Sequence, residues 1–241
     1  VIEGKSEMYK YLSQNDKLAF VNFEDPIQIE KTKNIKSFTF GVNRDNTDMC
    51  ITSVKANPFV EIGYADIIIS SHLIGLYNAN NLNAALAIGK FFKVDDLSIK
   101  GALESYVPEN NRSQLLTKGT NQIILDAYNA NPSSMAVAIE NFLQLDSPNK
   151  IMILGDMFEL GDESEKEHQE LVNSLLNEKA VRCFFIGAAF YLCKVDSPQF
   201  QFHKAFESFS IGLKDEVIQN STILIKGSRG MALERTLEYL V

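Results

Sequence analysis

The sequence predicts an α/β protein in two parts: a first half of mixed α and β elements, then a doubly wound parallel sheet. Two observations carry this. Four short apolar runs fall in the second half, QIILD (122–126), KIMILG (150–155), VRCFFIG (181–187) and TILIKG (222–227). They are rich in Ile, Val, Leu and Phe without polar alternation, as strands covered on both faces are. Helical segments separate them, and that β-α alternation builds a parallel sheet.

In the first half, Lys5 to Leu12 reads as the end of a helix and Leu18 to Phe23 as a strand. Ser37–Gly41, Met49–Lys55, Phe59–Tyr64 and Asp66–Ser71 follow as strands. From Asn80 to Phe92, Leu82, Ala85, Leu86, Gly89 and Phe92 recur at helical spacing. A shorter helix fits Asp95–Tyr106, and the polar stretch Val107–Thr120 reads as the domain boundary. Beyond it, Asn131 is placed to cap a helix that Pro132 opens, with Met135, Ile139 and Phe142 on one face. Ser164 and Glu167 have capping-box spacing ahead of Leu171, Val172, Leu175 and Leu176. A strand near Gln201, a helix around Lys204–Ile218 and a last helix carrying Leu233, Leu237 and Leu240 complete the chain.

Composition narrows the function classes. The 241 residues are 45% hydrophobic and 22% charged, ordinary for a globular protein. A net charge of −8 argues against nucleic acid as a partner but leaves room for a phosphorylated small ligand. Cys50, Cys183 and Cys193 form no CxxC pair, which fits a reduced, cytoplasmic setting. No apolar run approaches the roughly 20 residues of a membrane span, so no membrane partner is expected.

In open α/β sheets, ligands gather outside the carboxyl ends of the strands. Three polar clusters fall at such ends: AYNANP after QIILD, GDMFELGD after KIMIL, and KGSRG after TILI. Each also has a plain reading, in which the asparagines are caps, the acids a solvated loop and the glycines a tight turn. Taken together they read as one site. Ser228, Gly230 and the helix start behind them offer free amides to an anion. Lys226 and Arg229 suit a carboxylate or phosphate, Arg229 in bidentate fashion.

DAYNANPSSM (126–135), LGDMFELG (154–161) with the downstream His168, and IKGSRGMALE (225–234) resemble the Mur ligases. GLYNANNLNAALAIG (75–89) resembles that family's Gly-x-His-Asn-x-x-Asn-x-x-Ala-Ala element, with Tyr77 where a His is usual. The resemblance implies a three-domain enzyme. Residues 1–113 would be the second half of its central ATP-binding domain, and residues 114–241 its Rossmann-like C-terminal domain. It implies ATP-dependent amide formation that adds D-alanyl-D-alanine to a UDP-N-acetylmuramoyl-tripeptide, with ATP and Mg²⁺ as cofactors. A cytoplasmic monomer in peptidoglycan synthesis is the corresponding expectation. Asn78 and Asn81 resemble adenine contacts, and Arg112, Asp126, Tyr128, Asn129 and Asn131 the interdomain nucleotide contacts. Lys226, Ser228 and Arg229 look suited to the incoming dipeptide or to developing negative charge, and Asp156 and Glu159 to positioning the amine or shaping the pocket. His168 reads as a structural residue on a helix. Another Mur ligase, a folylpolyglutamate synthetase and a non-catalytic nucleotide-binding module are the alternatives.

Gly4-Lys5-Ser6 invites a phosphate-loop reading, but the motif GxxxxGK[ST] is incomplete here. VIEGKSEMY instead resembles the segment whose lysine is carbamylated in many Mur ligases. Lys5 would then carry a carboxylate able to hold Mg²⁺, and burial is what would free its amine to react with CO₂. With no complete phosphate loop among these residues, the chain alone is expected to be inactive.

Overall fold

The structure, a computed structural model, describes residues 2–109, 111–214 and 216–240. The chain divides into two compact units, residues 1–107 and 108–241.

The first unit opens with α1 (Ile2–Gln14), followed by β1 (Ala19–Asn22) and a short helix, α2 (Pro26–Thr32). The sequence reading left α2 out, although its start is well marked: Asp25 accepts the N–H groups of Ile27 and Gln28, and Pro26 fills the first turn. Next come β2 (Ser37–Val42), β3 (Met49–Ile51), β4 (Ser53–Ala56), β5 (Phe59–Tyr64) and β6 (Ile67–Ile74). The strand expected over 49–55 is therefore two. Thr52 separates a segment that joins a parallel sheet, β1-β2-β3, from one that joins an antiparallel sheet, β4-β5-β6. A 3-10 turn (Leu76–Asn78) leads into α3 (Ala79–Phe91), and α4 (Asp96–Ser105) ends the unit. Leu82, Leu86 and Ala87 of α3 close a core with Ile51, Val60, Ile62 and Ile69.

The second unit is a six-stranded sheet. Its elements are β7 (Gln114–Lys118), β8 (Asn121–Asp126), α5 (Pro132–Gln144), β9 (Lys150–Gly155), α6 (Ser164–Ser174), β10 (Val181–Ile186), α7 (Ala188–Leu192), β11 (Phe200–His203), α8 (Phe206–Lys214) and β12 (Thr222–Lys226). The strand order is β11-β10-β9-β12-β8-β7, all parallel except for the edge strand β7. β7 lies inside the stretch expected to be linker. Its five residues QLLTK hold only two apolar side chains, too weak a run to stand out in sequence. Successive strand residues face opposite sides. Ile123, Leu125, Ile151, Ile153, Phe184, Ile186, Ile223 and Ile225 share one face and pack with Phe206, Phe209 and Leu213 of α8. The other face, with Ile124, Met152, Leu154, Phe185 and Leu224 also buried, lies under α5 and α6, because two successive crossovers in one direction fall on one side.

Two expected details are corrected. The capping box of Ser164 and Glu167 does not form. A 3-10 turn (Gly161–Glu163) precedes α6, so Ser164 lies inside the helix and its start has no side-chain cap. The last helix is instead two 3-10 segments, Arg229–Met231 and Leu233–Glu238, broken at Ala232 with φ 48°. The anion site argued from an α-helix start behind Gly230 loses its basis there. Among the described residues no helix is long and apolar enough to cross a membrane.

Candidate active site

In the second unit the three polar clusters meet at the carboxyl ends of neighbouring strands. Asp126 and Lys226 are register partners on β8 and β12. Lys226 is 2% exposed, and its Nζ donates to Asp126 Oδ2 at 2.6 Å and to the Asn129 carbonyl at 3.2 Å. A buried ammonium needs such a partner, since desolvating it alone costs several kcal/mol or more. The other carboxylate oxygen of Asp126 accepts the Ser113 N–H at 3.2 Å. Two of the three Lys226 N–H groups are thereby used.

The strand-end loop after β8 is tied down on both sides. The Tyr128 N–H donates to the Asn111 carbonyl at 3.2 Å, and the Arg112 guanidinium lies 3.7 Å from the centre of the half-exposed Tyr128 ring. Asn129 Oδ1 accepts the Ala130 N–H. Asn131 caps α5: its Oδ1 accepts the Ser134 N–H at 2.9 Å, and Ser134 Oγ returns a bond to the Asn131 N–H at 3.1 Å.

β9 and β12 end in close contact. A Cβ on Gly227 would stand 3.0 Å from the Gly155 Cα, so glycine is what lets the two loops approach. Across that contact, Ser228 N–H donates to the Asp156 carbonyl (3.1 Å), and Ser228 Oγ accepts the Phe158 N–H (2.8 Å). Asp156 is buried and spends both carboxylate oxygens on backbone, accepting from Ala189 and Phe190 at 3.0 Å each. His168 is fully buried. Its Nε2 accepts the Met157 N–H at 2.9 Å, so the proton sits on Nδ1, which donates to the Ser164 carbonyl at 2.6 Å. Its structural reading from sequence thus acquires a partner: it holds the loop that follows β9. Glu159, exposed and at φ 66°, and Arg229, paired with Glu234 at 3.1 Å, reach solvent on this side.

The first unit carries a separate recess of about 490 Å³ at the carboxyl ends of β1 and β2. Asn81 lines it. Asn78 is buried behind, its Oδ1 accepting from Asn81 Nδ2 at 3.0 Å and its Nδ2 donating to the Ile74 carbonyl at 2.8 Å. Sequence reasoning missed Phe20, Asn22 and Asn80, which line the same recess, with Asn22 Nδ2 donating to Asn80 Oδ1 at 3.3 Å. The available signal was a polar residue closing the apolar run LAFVN just before a turn. Lys5 is exposed on α1, so the burial on which its modification was argued is not found. No group of three or more His, Cys, Asp or Glu that could hold a metal occurs among the described residues.

Comparison with known proteins agrees with this architecture. The model of the Mur ligase middle domain matches residues 1–89, and that of the Mur ligase glutamate ligase domain matches residues 111–229. The UDP-N-acetylmuramoyl-tripeptide–D-alanyl-D-alanine ligase of Rickettsia prowazekii is 28% identical, over 99% of this chain and 56% of its own length. The enzyme of that name from Bacillus subtilis is 26% identical, over 100% and 54%. A crystal structure of MurF from Acinetobacter baumannii superposes with a TM-score of 0.77 at 26% identity, covering 97% of this chain and 53% of that one. The chain spans about half the length of the curated relatives it matches. With two domain models matched in order and the middle- and C-terminal-domain fold in place, the chain belongs to the Mur ligase family.

Proposed function

We propose that this chain is part of an ATP-dependent ligase that joins D-alanyl-D-alanine to UDP-N-acetylmuramoyl-tripeptide in peptidoglycan synthesis. The observation that carries the reading is the gathering of the buried Lys226–Asp126 pair, Ser228 and exposed Arg229 at adjacent strand ends, in a chain similar along nearly its whole length to ligases of that name. The reaction it implies balances simply. A tripeptide carboxylate oxygen takes the terminal phosphoryl group of ATP and ADP leaves. The dipeptide amine then attacks the acyl carbon, and phosphate and a proton are released.

Each unit carries residues suited to part of this work. Asn81, backed by Asn78, offers a carboxamide to an adenine edge. Within the second unit, Arg112, stacked on Tyr128, and the loop of Asp126, Asn129 and Asn131 offer contacts to a nucleotide. Lys226 has one N–H left for the dipeptide carboxylate or for negative charge developing on the tetrahedral carbon, and Arg229 offers a second cation. Asp156 shapes the pocket by fixing the loop after β9, with Glu159 at its rim. Mg²⁺, when bound, would neutralise phosphate oxygens. A carbamylated Lys5 would be a ligand for it, although Lys5 is exposed on α1. The three free cysteines accord with work in the cytoplasm, and a monomer suffices for this scheme.

The test is phosphate release by the full-length gene product with both substrates and ATP. Lys226→Ala and Arg229→Ala are each expected to lower kcat/KM by about a hundredfold. Unchanged turnover in both would remove the site assignment. Equal use of other amino acceptors would move the protein elsewhere in the family. The purified 241-residue chain is expected to show no ligation.

A further inference from the structure

α5 and α6 lie side by side and leave a groove of about 550 Å³ between them, running from Pro132, next to the loop after β8, along the helices. Its floor is apolar: Pro132, Ala136, Ile139 and Leu143 follow one another along α5, facing Leu171 of α6 and Leu175 just past its end. Three ionisable side chains line it, and all are acids: Glu140, Glu167 and Glu170. None of them forms an ion pair among the described residues, whereas Lys166, on the same helix, pairs with Glu163 instead. Two small residues, Ala136 of α5 and Ser174 at the end of α6, also line it.

These features specify an occupant. A guest helix lying along two neighbouring helices packs at the usual interhelical distance of about 8–10 Å. The thirteen residues of α5 give a seat about 20 Å long, or some three to four turns of a guest helix. An apolar floor asks for an apolar stripe on the guest, in the helix-in-groove mode. Three unpaired carboxylates with no cation among the lining residues require positive charge flanking that stripe. We propose that the α5–α6 groove docks a basic amphipathic helix of a partner protein. This does not depend on the ligase reading.

The probe is a fluorescein-labelled peptide of about 14 residues built only from Leu and Lys with a helical period, titrated with the 241-residue chain by fluorescence anisotropy. Saturable binding is expected. Ala136→Trp, which fills the groove without changing charge, and the double variant Glu140→Lys/Glu170→Lys should each weaken it by about tenfold or more. Glu3→Lys/Glu7→Lys makes the same charge change on α1 and should leave it within about twofold. All the substituted positions are exposed in the fold, so folding is retained and is checked by circular dichroism. The proposal is overturned by absence of binding, by equal weakening in the α1 variant, or by an unaffected Ala136→Trp. Equal binding of a Leu–Glu peptide would also overturn it. So would self-association of the chain that Ala136→Trp abolishes, which would make the occupant a second copy.

Discussion

Asp156 shows how a single residue's chemistry depends on partners far along the chain. Both of its oxygens accept N–H groups from Ala189 and Phe190, 33 and 34 positions away. GDMFELGD could be recognised as a strand-end cluster, but nothing local reveals that this carboxylate is already used. Gly187 makes the arrangement possible. It sits at φ 131°, and a Cβ there would stand 2.2 Å from the Asp156 carboxylate carbon. Gly187→Ala therefore combines backbone strain with a clash against a buried charge and should cost about 3 kcal/mol, read as a shift in urea midpoint. A loss below about 1 kcal/mol would mean that the carboxylate can swing away. The Lys226–Asp126 pair calls for a cycle rather than a single change. Lys226→Met leaves a largely buried carboxylate without its cation and should cost about 3–5 kcal/mol. Asp126→Asn/Lys226→Met should be more stable than Lys226→Met alone, because no charge then remains at the site. If the double variant is the less stable, the pair is not what holds these strand ends.

At the scale of elements, sequence was most informative where strands are buried on both faces. The four apolar runs of the second half all became strands, and the cap and proline at Asn131–Pro132 opened α5. Legibility failed where pairing is decided at a distance. β7 has a mostly polar sequence and is a strand because β8 offers it an edge. The chain over 49–56 changes sheets at Thr52, which no local periodicity records. The candidate site followed the same rule: clusters at strand ends were visible, while the Asn22–Asn80 contact across 58 positions was not. β11 supplies the pH-dependent element. His203, at its end, stacks on Phe184 and meets Phe209 edge-on, with Nε2 buried and without a hydrogen-bond partner among the described residues. Burial, helped by nearby Lys194, pushes its pKa below the usual histidine value, although a Ser208 backbone contact opposes the shift. The folded state therefore takes up this proton at lower pH than the unfolded chain does. Stability is full above the unfolded value of about 6.5 and falls as pH drops through it towards the folded pKa. His203→Phe should flatten the fall in urea midpoint between about pH 7.5 and 5.5, and an unchanged slope would exclude His203 as its source.

For the molecule as a whole, the question is whether the second unit stands alone. Residues 108–241 form one compact unit with a core of their own, in which Ile123, Ile153, Phe184 and Ile225 close against Phe209 and Leu233. A segment of this size buries enough apolar surface to fold without staples. Its sheet is complete within it: all six strands and the helices on both faces come from these residues. Expressed as residues 108–241, it should unfold in urea in one cooperative step, at the midpoint of the matching transition in the whole chain. Gly187→Ala offers the internal control, because its strain is confined to the second unit. In the full 241 residues it should lower that transition and leave the transition of residues 1–107 where it was. A non-cooperative 108–241, or a Gly187→Ala shift shared equally by both transitions, would show that the two units share their stability.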